Sequence, residues 1–406
     1  MNSHKHLIYC QSNKNGKSYL AIGVEEELVL SDTRDSFEAL DAFLQNKKSW
    51  VFGYMSYDLK NDVEDLKSEN HDGLKFPEMV FFRPKLVLQI SENEHNVKYN
   101  GAGFSDQEID NILKDLTKKH PTKNEANNYS IKQRTSKNNY LRNTSQILNH
   151  IHRGDIYEMN YCHEFFIENI ALNPWSIYQK LNALTQAPYS CFMRWENLHV
   201  LSGSPELFLE KKGGKIYSKP IKGTIKRGRN IAEDEVLKNE LRNDPKERAE
   251  NVMIVDIVRN DLSRSAKKNS VEVEELCEIY SFETVHQMIS TITSEVSDET
   301  SGVEVLKHSF PMGSMTGAPK IRAMELIEKL EDFKRGIYSG AIGYFEPDGD
   351  FTFNVIIRSI LYNSSNKYCS FAAGGALTAL SIPEKEYEET LLKAEAMKKS
   401  ILEHAE

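Results

Sequence analysis

Cysteine is scarce in this chain: five in 406 residues, at Cys10, Cys162, Cys191, Cys277 and Cys369, with no Cys-x-x-Cys pair. That usage excludes a disulfide framework and a closed zinc site, and it suits a reducing compartment. Basic excess is lacking too, since 51 Lys and Arg stand against 60 Asp and Glu, a net charge of −9. Such a balance carries no footprint for a nucleic-acid partner. An anionic ligand would have to be drawn in by local groups, not by the overall field. No apolar run reaches membrane-spanning length, and the polar opening 1–6 leads into no apolar signal stretch. No membrane association is expected, and the expected location is cytoplasmic. Internal repeats and low-complexity segments are also missing. What the chain does have is 39% hydrophobic and 10% aromatic residues, enough for a sizeable core in one large domain or two.

Short apolar runs at 7–9, 19–23, 50–57 and 79–82 read as strands, and 118–139 is polar, a surface connection. The expected division is an N-terminal subdomain over residues 1–120, a polar connection over 121–139, and a remainder over 140–406. Tyr140, Thr144, Ile147, Leu148 and Ile151 follow helical spacing, with Gly154 as its C-terminal stop. Strand-like runs follow at 189–194, 198–202, 207–210 and 215–219. Helical stretches at 234–243 and 245–262 come next, then strands near 340–345, 351–362 and 368–373, and a last helix from 383 to 403. Elements clustered by type, rather than strictly alternating, predict an α+β fold.

Three patterns carry chemistry. Asp244, Pro245 and Glu247 form a helix start, and Glu250 shares a face with Glu247. Ser381 to Glu384 reads as a second capping box, after which Glu386, Glu389 and Lys393 fall on one face. Two Glu-x-x-Glu faces can converge on one hard cation such as Mg²⁺, which takes a few carboxylates plus water and substrate oxygens. Glu247 can equally serve only to cap its helix. The segment 313–320, with Gly313, Gly317 and Pro319, leads a loop into a helix start that can hold an anion, or it is an ordinary tight turn. It is not a Walker loop. Finally, Lys222 beside Gly223 and Thr224 is either an anion-binding or nucleophilic amine or a solvated lysine. Glu206 before an apolar run is either a general acid or a solvated carboxylate.

Taken in order, these blocks resemble the chorismate-utilising enzymes, which include anthranilate, aminodeoxychorismate, isochorismate and salicylate synthases. The matching segments are 202–206 (Ser-Gly-Ser-Pro-Glu), 220–224 (Pro-Ile-Lys-Gly-Thr), 247–261, 313–320, 354–358, 373–375 and 386–390. They spread over about 154–397. The resemblance implies an α+β sandwich of two large, mostly antiparallel sheets with helices outside and the site in a cleft between the halves. On that reading 1–120 is a subdomain of the same sandwich and 140–406 the chorismate-binding catalytic region. It also implies Mg²⁺ on Glu250 and Glu389, holding the ring carboxylate of chorismate, with Glu247 and Glu386 beside it. Gly223, Thr224, Thr316, Gly317, Ala318, Tyr344, Arg358, Gly374, Gly375 and Lys393 are the implied substrate contacts. Chorismate is a dianion, so an acidic chain must meet it with a metal, cationic side chains and backbone N–H groups.

Lys222 selects the branch. The resemblance places lysine there in aminodeoxychorismate synthases and alanine in anthranilate synthases. It implies that Lys222 attacks C2 of the ring, that Glu206 protonates the departing C4 hydroxyl, and that ammonia adds at C4 and expels the lysine. The product would be 4-amino-4-deoxychorismate, on the way to p-aminobenzoate and folate. Only roughly one lysine in a thousand is neutral near pH 7, so Lys222 needs help in losing its proton. Glu158 stands where the isochorismate and salicylate branch places a water-activating lysine, which argues against water addition. The chain departs from the family pattern at Gln287, where histidine is usual and where His286 is a possible substitute, and at Ala376 and Leu380. No cysteine lies in a Gly-x-Cys-x-Gly elbow, so ammonia is expected from a separate glutamine amidotransferase subunit. Anthranilate synthase component I is the alternative, and an inactive ligand-binding subunit the distant one.

Overall fold

In the computed structural model, residues 1, 4–13, 16–91, 94–118, 129–283 and 285–402 are described. Residues 121–128 of the expected connection 121–139 lie outside them, and its last residues already belong to the helix Lys137–His152. Gly154, at φ +79°, follows that helix in the left-handed conformation that ends it.

Among the described residues the strands form an eleven-stranded and a ten-stranded sheet, antiparallel throughout, as expected from the family resemblance. Alternation along the strands sets their faces. Ile8, Tyr19, Ala21 and Val200 of the larger sheet meet Phe52, Phe81, Ile292 and Phe353 of the smaller one in the central core. Leu7, Leu20, Ile22 and Leu201 point the other way, into a second core. The helices Pro174–Thr185 and Pro383–Leu402 cover that outer face with Trp175, Leu181, Met397 and Ile401.

The chain crosses between the sheets at two adjacent places, and these set up the site. Leu198–Ser204 belongs to the larger sheet and Leu207–Lys212 to the smaller. The strand expected over 351–362 is broken likewise into Phe351–Val355 of the smaller sheet and Ser359–Asn363 of the larger. Arg358, at φ +52°, makes the second crossing, a strained conformation for a residue with a side chain. Gly203 N donates to Arg358 O at 3.1 Å, and Val355 N donates to Glu206 O at 3.1 Å, so the crossings are tied together.

Candidate active site

The long helix Pro245–Ser263 begins as its sequence predicts, with Pro245 in the first turn and the Asp244 carboxylate accepting from the N–H groups of Lys246 and Glu247. Glu247 does not reach back to close a capping box. Its side chain lies over Gly223, where a Cβ would come within 3.1 Å of Glu247 Oε2. Gly223 also sits at φ +87°, so a side chain there is crowded and conformationally strained. At the last helix the expected capping box is not made: the Ser381 hydroxyl accepts from Thr378 N.

Lys246 joins the two acidic helix starts. Its ammonium lies 3.1 Å from Glu386 Oε1 and 3.7 Å from Glu250 Oε1. Glu250 is 6% exposed, and its Oε1 has no hydrogen bond. Burial pushes its carboxyl up to about 7 against the pull of Lys222 and Lys246. Lys393 Nζ bridges Glu389 Oε1 at 2.6 Å and Gly374 O at 3.0 Å. Burial raises the Glu389 carboxyl, but Lys393, Lys246 and Lys222 outweigh it and the net shift is downward. Gly375 lies beside this cluster: a Cβ there would stand in ordinary contact, 3.4 Å from Glu386 Oε2 and 3.7 Å from both Glu389 Oε1 and Lys393 Nζ.

Across the cleft, Lys222 Nζ donates to Glu158 Oε1 at 3.0 Å. Burial lowers its proton affinity, yet the carboxylates of Glu158, Glu250 and Glu206 outweigh burial and hold it above the ordinary lysine value. Glu206, 6% exposed at the first sheet crossing, is driven up to about 7 by burial, with Lys222 opposing. Arg358 lines a cleft of about 320 Å³ with Thr224, Gly203 and Gln287. Burial lowers the proton affinity of its guanidinium, against the pull of the Tyr338 hydroxyl and Glu389. Among the described residues the guanidinium has no hydrogen bond or ion pair, so its fork of donors is free for an anion.

Two expected substrate contacts fall elsewhere. The Tyr344 ring packs into an aromatic cluster with Tyr19, Trp50 and Phe52 at centroid distances of 4.9, 5.9 and 5.3 Å, away from the carboxylates. Strand Ala341–Phe345 is in the smaller sheet, and its alternation turns that ring into the core. Tyr338, just before the strand, is the tyrosine near Arg358. Nothing in the sequence pattern separated these two tyrosines. Thr316 is fully buried, and its hydroxyl donates back to Met312 O and Gly313 O. Gly317 and Ala318 pair with Met159 and Glu158 as a short strand, so this loop fixes Glu158 with its backbone.

His286 cannot take the role expected at 287. Successive strand residues face opposite ways. Gln287 sits opposite Thr224 and lines the cleft. The His286 ring is held on the other face by Asp234 Oδ1 at 3.0 Å and Ser281 Oγ at 2.9 Å.

The donor set suits a hard cation. Glu250 and Glu389 offer oxygen ligands only, and Glu250 Oε1 accepts no hydrogen bond. Among the described residues no three His, Cys, Asp or Glu side chains converge tightly enough to hold a metal by themselves. Mg²⁺ would take one or two such carboxylates and complete its shell with water and ligand oxygens.

The model of the chorismate binding enzyme family matches residues 5–399, and the chain belongs to that family. It is 36% identical over 388 residues to the probable chloroplastic aminodeoxychorismate synthase of Oryza sativa, covering 86% of this chain but 43% of that protein. It is 32% identical to aminodeoxychorismate synthase component 1 of Bacillus subtilis, covering 86% of this chain and 76% of the relative. Anthranilate synthase component I of Streptococcus pneumoniae superposes with a TM-score of 0.82 at 26% identity, over 95% of this chain and 93% of that structure. This chain is thus less than half the length of the rice relative. No helix among the described residues is long and apolar enough to cross a membrane.

Proposed function

We propose that this chain aminates chorismate at C4 to give 4-amino-4-deoxychorismate, with Lys222 as nucleophile. The observation that carries the reading is a buried amine at 222, hydrogen-bonded to Glu158 and within electrostatic reach of Glu206, a carboxyl pushed up to about 7. Lys222 Nζ attacks C2, the ring double bonds shift, and the C4–O bond breaks as Glu206 delivers its proton to the leaving hydroxyl. Ammonia then forms the C4–N bond, the double bonds return, and the C2–N bond breaks to free Lys222. The C4 ammonium gives its extra proton to Glu206, which resets the acid. Splitting the substitution into two steps lowers the barrier of each. Arg358, Lys393 and the N–H groups of 374–375 face the substrate carboxylates. Mg²⁺ held by Glu250 and Glu389 would neutralise and anchor the ring carboxylate. Ammonia comes from a partner glutaminase, and the protein acts in the cytoplasm.

The test is product analysis. Chorismate, Mg²⁺ and ammonium should yield 4-amino-4-deoxychorismate by mass spectrometry, with the enolpyruvyl group retained. EDTA should stop the reaction, and glutamine should replace ammonium only when a glutaminase is added. Anthranilate plus free pyruvate as the main products would reject this reading in favour of anthranilate synthesis.

The pH dependence has a defined sign. Glu206 works as an acid only while protonated, so kcat should fall as pH rises through about 7. Glu206→Gln should lose roughly 100-fold or more in kcat. An unchanged alkaline limb in that variant would assign the titration to another group.

A further inference from the structure

The proposed route leaves one step without an agent: Lys222 rests as a buried ammonium, and an ammonium is no nucleophile. We propose that Glu158 is a catalytic residue, the base that takes the proton from Lys222 before attack and returns it after release. This rests on Lys222 being the nucleophile.

Geometry carries the assignment. Glu158 Oε1 lies 3.0 Å from Lys222 Nζ, which is the reacting atom. Both side chains are enclosed, at 1% exposure for Glu158 and 10% for Lys222. Glu158 Oε2 is buried and accepts no hydrogen bond. The backbone of Glu158 is held on both sides, since it pairs with Ala318 and Tyr157 N donates to Ala318 O at 2.6 Å. The strand Glu158–Ile167 lies in the larger sheet and Ile221–Lys226 in the smaller, so the contact spans the cleft.

The other charged groups acting on Lys222 are Glu250 from the long helix, Glu206 from the sheet crossing, and Glu389 from the last helix. Of these carboxylates, Glu158 alone hydrogen-bonds the ammonium. Moving one proton along that bond turns the enclosed ion pair into two neutral groups; the carboxylates favour the ion pair at rest, so the amine forms only as attack begins. The protons balance. Lys222 NH₃⁺ and Glu158 COO⁻ become NH₂ and COOH. The amine lone pair forms the N–C2 bond. When ammonia displaces it, Lys222 departs as a neutral amine and recovers its proton from Glu158.

The sequence registers Glu158 only as a position that is not lysine. Nothing in its spacing from Lys222, in a strand of the other sheet, signals that the two meet.

The test is Glu158→Gln, an isosteric change that keeps a partner for Lys222 but removes the base. Amination at saturating chorismate and ammonium should fall roughly 100-fold at pH 7. The pH profile should also change shape. The parent enzyme declines above about 7 as Glu206 loses its proton. The variant should hold a low plateau there, because free Lys222 amine then gains with pH what Glu206 loses. A purely electrostatic Glu158 gives the opposite result: its removal frees more Lys222 amine, so the variant would be as fast or faster at pH 7, and the proposal fails. Modification of Lys222 by trinitrobenzenesulfonate, mapped by peptide mass spectrometry, checks the contact itself. The variant should react faster at neutral pH, and an unchanged rate would overturn the contact. Lys222→Ala separates the two levels of failure. A dead Lys222→Ala with a fully active Glu158→Gln overturns the role of Glu158 alone. An active Lys222→Ala overturns the nucleophile and, with it, the base.

Discussion

Lys222→Ala should reduce 4-amino-4-deoxychorismate formation at least about 1000-fold, which corresponds to ~4 kcal/mol of lost transition-state stabilisation. The lysine supplies the electron pair that opens the substitution, and among the described residues no other amine hydrogen-bonds Glu158. Lys222→Arg is the informative companion. Arginine keeps a cation opposite Glu158 but is never deprotonated in proteins, so it should be as inactive as alanine. Chorismate consumption and product mass together decide the matter. If Lys222→Arg keeps most of the activity, a cation suffices at 222 and covalent attack is excluded.

The largest effect on stability should come from Glu331→Ala. Glu331 and Arg335 are each about 1% exposed and form a forked pair, with Arg335 Nε on Glu331 Oε2 at 2.8 Å and Nη2 on Oε1 at 2.6 Å. The pair also serves the backbone. Arg335 donates to Met315 O at 2.6 Å and Asn160 O at 3.0 Å, and Glu331 Oε1 accepts from Cys162 N at 2.8 Å. It thereby clamps the loop before Gly317 to the strand that carries Glu158. Removing the carboxylate leaves an enclosed guanidinium without its counter-ion, at a cost of about 3–5 kcal/mol. Glu168→Ala is the control, because Lys132 and Glu168 form an exposed, solvent-screened pair that contributes little. Urea denaturation of the two variants should separate them clearly. Equal midpoints would show that the clamp contributes nothing to stability.

What the sequence makes legible follows from the range of each interaction. The α+β class and the helix starting at Pro245 rest on local signals, namely alternation, a capping aspartate and a proline in the first turn. The family blocks draw Glu206, Lys222, Glu250, Arg358 and Glu389 into one list, and the fold brings these residues within electrostatic reach of one another. The contacts that organise them are non-local. Glu158 reaches Lys222 across 64 positions in sequence, and Lys246 reaches Glu386 across 140. No periodicity encodes such partners. Tyr344 fails as a site residue for a related reason: one strand's facing decides between a ring in the cleft and a ring in the core, and aromatic identity does not report facing. The break at Arg358 was hidden because 351–355 and 359–363 are each good strand formers, and only the crossing between sheets separates them.

Strand facing also limits how this scaffold can be altered. An imidazole beside Thr224 lies one substitution away, at Gln287. It cannot be reached by sliding the strand Val285–Glu295 along its neighbours by one residue. Met288, Ile292 and Ser290 share one ladder with Gln287, and a single-step slip would turn Met288 and Ile292 out of the two cores they fill. Insertions and deletions in this strand are therefore closed to selection and to the engineer alike, while point changes at 287 stay open. The repertoire of this cleft is tuned by exchanging side chains on a rail that does not move.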